Sequence, residues 1–247
     1  MTAGQDGFEF DANTSERAAR DFVKFNAALA RLRERRLNEI TISGPLLKSR
    51  LAWLIATYQQ PVLYRVVMLA TGCAASWDTR NVLCAYLAAR ALIETVALVL
   101  EFDRELQELI TEKNLDGIDA LLMNRTFATR SEDLVKEFPD TQAKNILTVI
   151  QSLDKKTIPG VWEHYCFLSE RCHPNSLGHH QLFGVRERET NVTKYSDWHH
   201  SEMHLDYVLA GAMLIELVEP CMDRLDAAIL QVSELQHSVS PVVDSWT

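Results

Sequence analysis

The chain has 247 residues, 47% of them hydrophobic and 24% charged, which suffices for a large core; 9 Gly and 7 Pro are few for a turn-rich β protein. A net charge of -9 argues against coating double-stranded DNA in bulk, a role that needs a basic surface. Five cysteines, an odd number with no CxxC spacing, point to a reducing, cytoplasmic setting rather than a disulfide scaffold.

The first stretch, MTAGQDGFEFDANTSE, is polar and acidic, unlike a signal peptide. Residues 1–12 read as a loose tail, 13–237 as one helical domain and 238–247 as a frayed end. A helix is expected to open near Asn13 or Thr14, with Asn13 and Glu16 at capping-box spacing. Phe22, Phe25, Ala28, Leu29 and Leu32 give it an apolar stripe. The basic run RLRERR at 31–36 suits the solvated end of that helix, where cations complement the dipole. Pro45 fits the first turn of a second helix, and Pro61 is expected to break or kink it before a third helix runs to about residue 75.

Residues 78–101, DTRNVLCAYLAARALIETVALVLE, read as the central helix, apolar on nearly every face and in register to continue towards Ile110. Further helices are expected over about 115–127, 131–137 and 141–153, the last with Asp140 as its cap. DKKTIPG at 154–160 reads as a loop. The helix VWEHYCFLSERC follows and stops at His173-Pro174. Residues 174–196 show little periodicity and read as a functional loop. A long helix, kinked at Pro220, is expected from about 197 to 236. The sum is an all-α bundle of many helices around a long buried central one, with a loop excursion before a long C-terminal helix. The apolar runs are interrupted by charges such as Arg65, Arg90 and Glu94, so no membrane span is expected.

Arg90 and Glu94 lie four apart in the central helix and therefore share a face. A charge on so apolar a helix needs a partner or costs several kcal/mol, by about the magnitudes known for buried ions. Either a buried pair fixes the register of the bundle, or a polar site lies at its centre. Seven of the eight histidines fall within 164–204, and they admit metal, acid–base or phosphate chemistry. Glu170 and His173 form an ExxH pair, and His200 and His204 share a helical face suited to chelation. Glu202 falls on a different face and no second ExxH exists, so the ligand set does not close; no metal or other cofactor is expected. No GxSxG, P-loop or GxGxxG motif occurs.

The segments ARALIETVALV and YCFLSERCHPNSLGHH together resemble bacterial DUF5677-type proteins, which are HEPN-like all-α domains. The matching positions are Arg90 and Glu94, then Leu168, Ser169, Glu170, His173, Pro174 and Asn175. The resemblance implies a helical bundle, often dimeric, acting either as an RNA-cutting enzyme or as an inactive binding module in bacterial stress or defence. The nuclease branch carries Arg-(x4–6)-His on a late helix. Here Arg171 and His173 are too close, and Arg171 and His179 too far, for that motif. The expected site is a polar cluster of Arg90, Glu94, Glu170 and His173, with Asn175 and His179 at its rim, for a nucleotide-like or RNA ligand. Three functions stand open: a non-catalytic binding module, an RNase or metal-dependent hydrolase using 164–204, and a structural homo-oligomer. The sequence does not decide whether the chain is an enzyme. His173 is expected inside the fold, and His179, His180, His199 and His200 near the surface at one end.

Overall fold

The computed structural model describes residues 7–11, 14–197 and 202–239. The fold is an all-α bundle. Its elements are α1 (Glu16–Glu34), α2 (Pro45–Lys48), α3 (Arg50–Asp78), α4 (Val82–Thr111), α5 (Leu115–Phe127), α6 (Glu132–Glu137), a 3-10 turn at Pro139–Thr141, α7 (Ile146–Lys156), α8 (Val161–Cys172) and α9 (Ser176–Phe183). A small antiparallel hairpin, β1 (Gly184–Glu187) and β2 (Val192–Tyr195), precedes α10 (Glu202–Ala212), a 3-10 segment (Met213–Leu217) and α11 (Val218–Val239).

The central helix is α4. Its neighbours α3, α5, α7, α8, α10 and α11 surround it, because Ala85, Tyr86, Ala89, Leu92, Ile93, Val96, Ala97 and Phe102 leave it almost no polar face. By length and composition α4 could cross a bilayer, but 56% of its most apolar window is buried inside the protein. Small side chains at Ala85 and Ala89 let α3 and α10 approach closely. Helix starts are written into the sequence as short polar caps. Ser15, Ser49, Asn81, Asn114 and Asn175 each accept a hydrogen bond from the backbone N–H three residues on. The Asn13 cap expected for α1 lies outside the described residues; Ser15 fills that role.

Pro61 does not end a helix: it sits inside α3, which runs unbroken for 29 residues. Leu54, Ile55, Leu63 and Val66 are buried on both sides of it, so packing holds the helix through one lost backbone bond. Pro220 acts as expected in kind. Its ring opposes the carbonyl of Glu216, and the 3-10 segment Met213–Leu217 separates α10 from α11 at that point. Ser76, Trp77 and Asp78 close α3 rather than forming the turn, which is residues 79–81. Asp140 falls in the 3-10 turn, and Asn145 caps α7 instead. The basic end of α1 is fastened rather than merely solvated: Arg31 pairs with Glu219, and Arg35 with Asp223 and Asp226 on α11.

Residues 174–196 are not an irregular loop. Asn175 starts α9, and the hairpin pairs Gly184 with Tyr195 and Glu187 with Val192. The expected tail also gives way at residues 7–11. Phe8 is fully buried, stacks on Phe22 at 4.7 Å and meets Phe25 edge-on at 4.8 Å. Asn26 clamps its backbone by accepting from the Phe8 N–H (2.9 Å) and donating to its carbonyl (3.0 Å).

That N-terminal clip ends on a titratable contact. The Glu9 N–H donates to Asp78 Oδ1 at 3.2 Å. Burial pushes the Asp78 carboxyl up to about 6, with Glu9 and Asp11 adding repulsion against the Glu9 hydrogen bond. The folded state therefore holds this proton more tightly than the unfolded chain, whose ordinary value is 3.8. Its stabilising contribution is complete below about pH 4 and is lost as pH rises through about 6. Asp78→Asn keeps an acceptor for Glu9 and removes the charge. It should raise the melting temperature at pH 7 and flatten the melting profile between pH 4 and 6; an unchanged profile would show that Asp78 is fully solvated.

Candidate functional site

Three residues one turn apart on α4, Tyr86, Arg90 and Glu94, form a polar stripe on an otherwise apolar helix. Helix α8 runs antiparallel across it, with Val161, Tyr165 and Leu168 buried. Arg90 Nε lies 3.2 Å from Glu94 Oε1, too poorly aligned for a hydrogen bond. The Tyr165 hydroxyl closes the group: it donates to Glu94 Oε1 at 3.0 Å and accepts from Arg90 Nη2 at 3.4 Å. Burial opposes the Arg90 charge, but the Tyr165 oxygen, Glu94 and Cys172 more than offset it and leave its pKa raised. The Cys172 thiol is pushed up by burial, an effect that Arg90 partly offsets. About a quarter of each side chain of the Arg90–Glu94 pair stays exposed, at 27% and 28%. The pair is thus nearer in kind to a surface ion pair, worth up to ~1 kcal/mol, than to a sealed one.

A second half of the cluster adjoins the first through Tyr86 and is built where α10 meets α4 and α8. Tyr86 is fully buried and its hydroxyl hydrogen-bonds His204 Nδ1. Burial raises the Tyr86 pKa strongly, with Arg171 opposing. Phe167 and Tyr207 stack, and His164 meets Tyr207 edge-on at 5.7 Å. The Arg171 guanidinium lies 3.3 Å from the Phe167 ring centre. Burial lowers the Arg171 pKa, and the neighbouring tyrosines and Glu170 restore only part of it. Among the described residues no carboxylate stands within ion-pair distance of Arg171. Arg90 Nε, His164 Nδ1 and Ser169 Oγ are buried without hydrogen-bond partners in the same region. Unfilled buried donors of this kind are rare in native folds unless a ligand or water meets them.

No family model, curated protein or solved structure matches the chain. The site therefore rests on its own chemistry. Of the expected cluster, the structure joins Arg90 to Glu94 and separates the remainder. Glu170 is exposed and accepts from Asn175 Nδ2 at 2.9 Å. It lies two residues past buried Leu168, about 200° round the helix, and so turns away from α4. His173 is exposed, not interior, because α8 stops at Cys172 and the residue before Pro174 takes an extended conformation (φ -82°, ψ 148°). Asn175 caps α9 through the Gly178 N–H, and His179 and His180 are exposed on that helix. His199 and His200 lie outside the described residues; His204 faces Tyr86. Among the described residues no three His, Cys, Asp or Glu side chains converge as a metal site would require.

The residues that sequence reasoning passed over are Tyr86, Tyr165, Phe167, Arg171, Cys172 and Tyr207. One signal for them was present. A tyrosine on the apolar face of a helix must find a partner for its hydroxyl, and Tyr86 precedes Arg90 by one turn as Arg90 precedes Glu94.

Proposed function

We propose that the chain is a HEPN-like helical binding module, without catalysis of its own, whose α4–α8–α10 cluster receives the phosphate of a nucleotide-like ligand or RNA. The observation that carries this reading is Arg171. A half-buried guanidinium with one face on an aromatic ring and no carboxylate at hand lacks its anion. A phosphate would accept its paired N–H groups, and Ser169 offers a hydroxyl on the same helix. The rings of Tyr207 and Phe167 suit the apolar face of a base. The packing of α4 on α8 supports the family resemblance, since those two helices carry its Arg90–Glu94 and LSE–HPN segments. Cys73, Cys84, Cys166, Cys172 and Cys221 are all free thiols, which supports a cytoplasmic setting.

Fluorescence anisotropy with labelled ATP and with a short labelled oligoadenylate tests the reading. Saturable binding of at least one probe is expected, weakened by at least about tenfold in Arg171→Ala, a loss of roughly 1.4 kcal/mol or more. Arg171→Lys should fall between, because a lysine keeps the charge and loses the planar fork. The oligoadenylate should remain intact on a gel. No binding by the wild type, or binding unchanged in Arg171→Ala, would sink the proposal, and cleavage of the RNA would move it to the RNase reading.

A further inference from the structure

We propose a second, separate site: a recess between α4, α7 and α11 that binds a free α-amino acid with an aliphatic side chain. The recess has a volume of about 220 Å³, and Leu100, Val149 and Leu153 form its apolar wall. At its floor stands Asp103, whose side chain is only 7% exposed. Arg224 fills one of its oxygens, donating to Oδ2 from Nε at 2.8 Å with Nη2 at 2.6 Å. The other oxygen, Oδ1, is buried and has no hydrogen-bond partner. The nearest additional donor is the Cys221 thiol, which burial and Asp103 keep protonated by pushing its pKa up to about 12. An S–H is a weak donor and does not satisfy a carboxylate oxygen. A buried carboxylate with one bare oxygen is costly, and an ammonium group is the donor that offsets this best.

The remaining charges around the recess say what the far end of the ligand carries. Glu101 is held by Arg125 and Lys144. Arg104 is held by Glu105 and Glu108. Lys156, at the exposed end of α7, has no ion pair among the described residues. The lining thus offers one unfilled negative oxygen in its depth, one unfilled cation at its mouth and an aliphatic wall between. A free phosphate would meet Asp103 with like charge, and a simple amine would leave Lys156 unused. A zwitterion with its ammonium on Asp103, its carboxylate towards Lys156 and its side chain on Leu100, Val149 and Leu153 fills all three.

Titrate the full chain with L-leucine by calorimetry, and repeat with N-acetyl-L-leucine, which lacks the ammonium, and with isoamylamine, which lacks the carboxylate. One-site binding of L-leucine is expected, with both analogues at least about tenfold weaker. Lys156→Gln should weaken L-leucine binding several-fold. Ser152→Leu, on the rim of the recess, should abolish it while leaving Asp103 and Arg224 paired. Asp103→Asn should abolish it as well, but that variant also loosens Arg224, so Ser152→Leu and the two analogues carry the test. Nucleotide binding at Arg171 should be unchanged in Ser152→Leu, which separates failure of this site from failure of the other. The proposal is overturned if the wild type gives neither heat nor amide shifts with L-leucine at about 10 mM, well above a millimolar dissociation constant. Undiminished binding of either analogue, or of L-leucine to Ser152→Leu, overturns it equally.

Discussion

Arg125→Ala should cost the protein about 3–5 kcal/mol, the range for removing one partner from a buried charge network. Arg125 reaches from α5 onto α4 with a side chain only 4% exposed. Its Nη2 donates to Glu101 Oε2 at 2.8 Å and to Glu105 Oε2 at 2.9 Å. Without it the two carboxylates, one turn apart, face each other with Lys144 as their shared remaining cation, and Lys144 is a flexible, partly exposed side chain from before α7. For a domain of this size, roughly 2–4 °C of melting temperature goes with each kcal/mol, so a fall of about 10 °C is expected in a thermal melt. The triple change Arg125→Met, Glu101→Gln, Glu105→Gln tests the cause. It removes the charges and keeps the volume, and most of the loss should return, because the penalty belongs to the stranded carboxylates more than to the missing attraction. A loss below about 1 kcal/mol in Arg125→Ala would mean that water reaches Glu101 and Glu105 freely.

The same network shows what a sequence can carry and what it withholds. Helical periodicity placed α4, α5, α7 and α8 well, because each buries a stripe of aliphatic side chains at 3.6-residue spacing. Arg90 and Glu94 were legible as a pair because their contact is local. Arg125 was not, since its partners stand 20 and 24 positions away on another helix and nothing in DALLMNRTF marks that meeting. The hairpin stayed hidden for a related reason: every residue of β2 is exposed, so no alternation of apolar and polar side chains betrays it. Pro61 misled because local propensity predicts a break, whereas packing on both sides of α3 holds the helix together. His173 and Glu170 misled because a motif in one dimension says nothing about which side of a helix faces in. Glu170 falls on the outer face of α8, and His173 falls past its end.

Two glycine substitutions should move stability in opposite directions, and the contrast tests how α10 is seated on α4. Gly72 lies in α3 with nothing within 4 Å of where a Cβ would stand, so Gly72→Ala should stabilise by about 0.5–1 kcal/mol through helix propensity alone. Gly211 lies in α10 against α4. A Cβ there would meet the Ala89 carbonyl oxygen at 2.9 Å and the Ala89 Cβ at 3.1 Å. The neighbour is backbone in the middle of the central helix and cannot swing aside, so Gly211→Ala should destabilise despite the same gain in propensity. Gly211→Leu should cost about 3 kcal/mol or more, at or beyond the upper part of the overpacking range. The effect reaches the site, because His204 sits two turns earlier on α10 and Tyr86 three residues earlier on α4. Lifting one helix from the other parts the Tyr86 hydroxyl from His204 Nδ1. In Gly211→Leu the His204 imidazole resonances should therefore move, and nucleotide binding at Arg171 should weaken with the melting temperature. Ala89→Gly in the Gly211→Ala background should recover part of the loss, since it clears the Cβ contact and leaves only the carbonyl to accommodate. A Gly211→Ala protein as stable as the wild type would show that α10 is free to shift on α4, and that the contact between them does not hold the cluster in place.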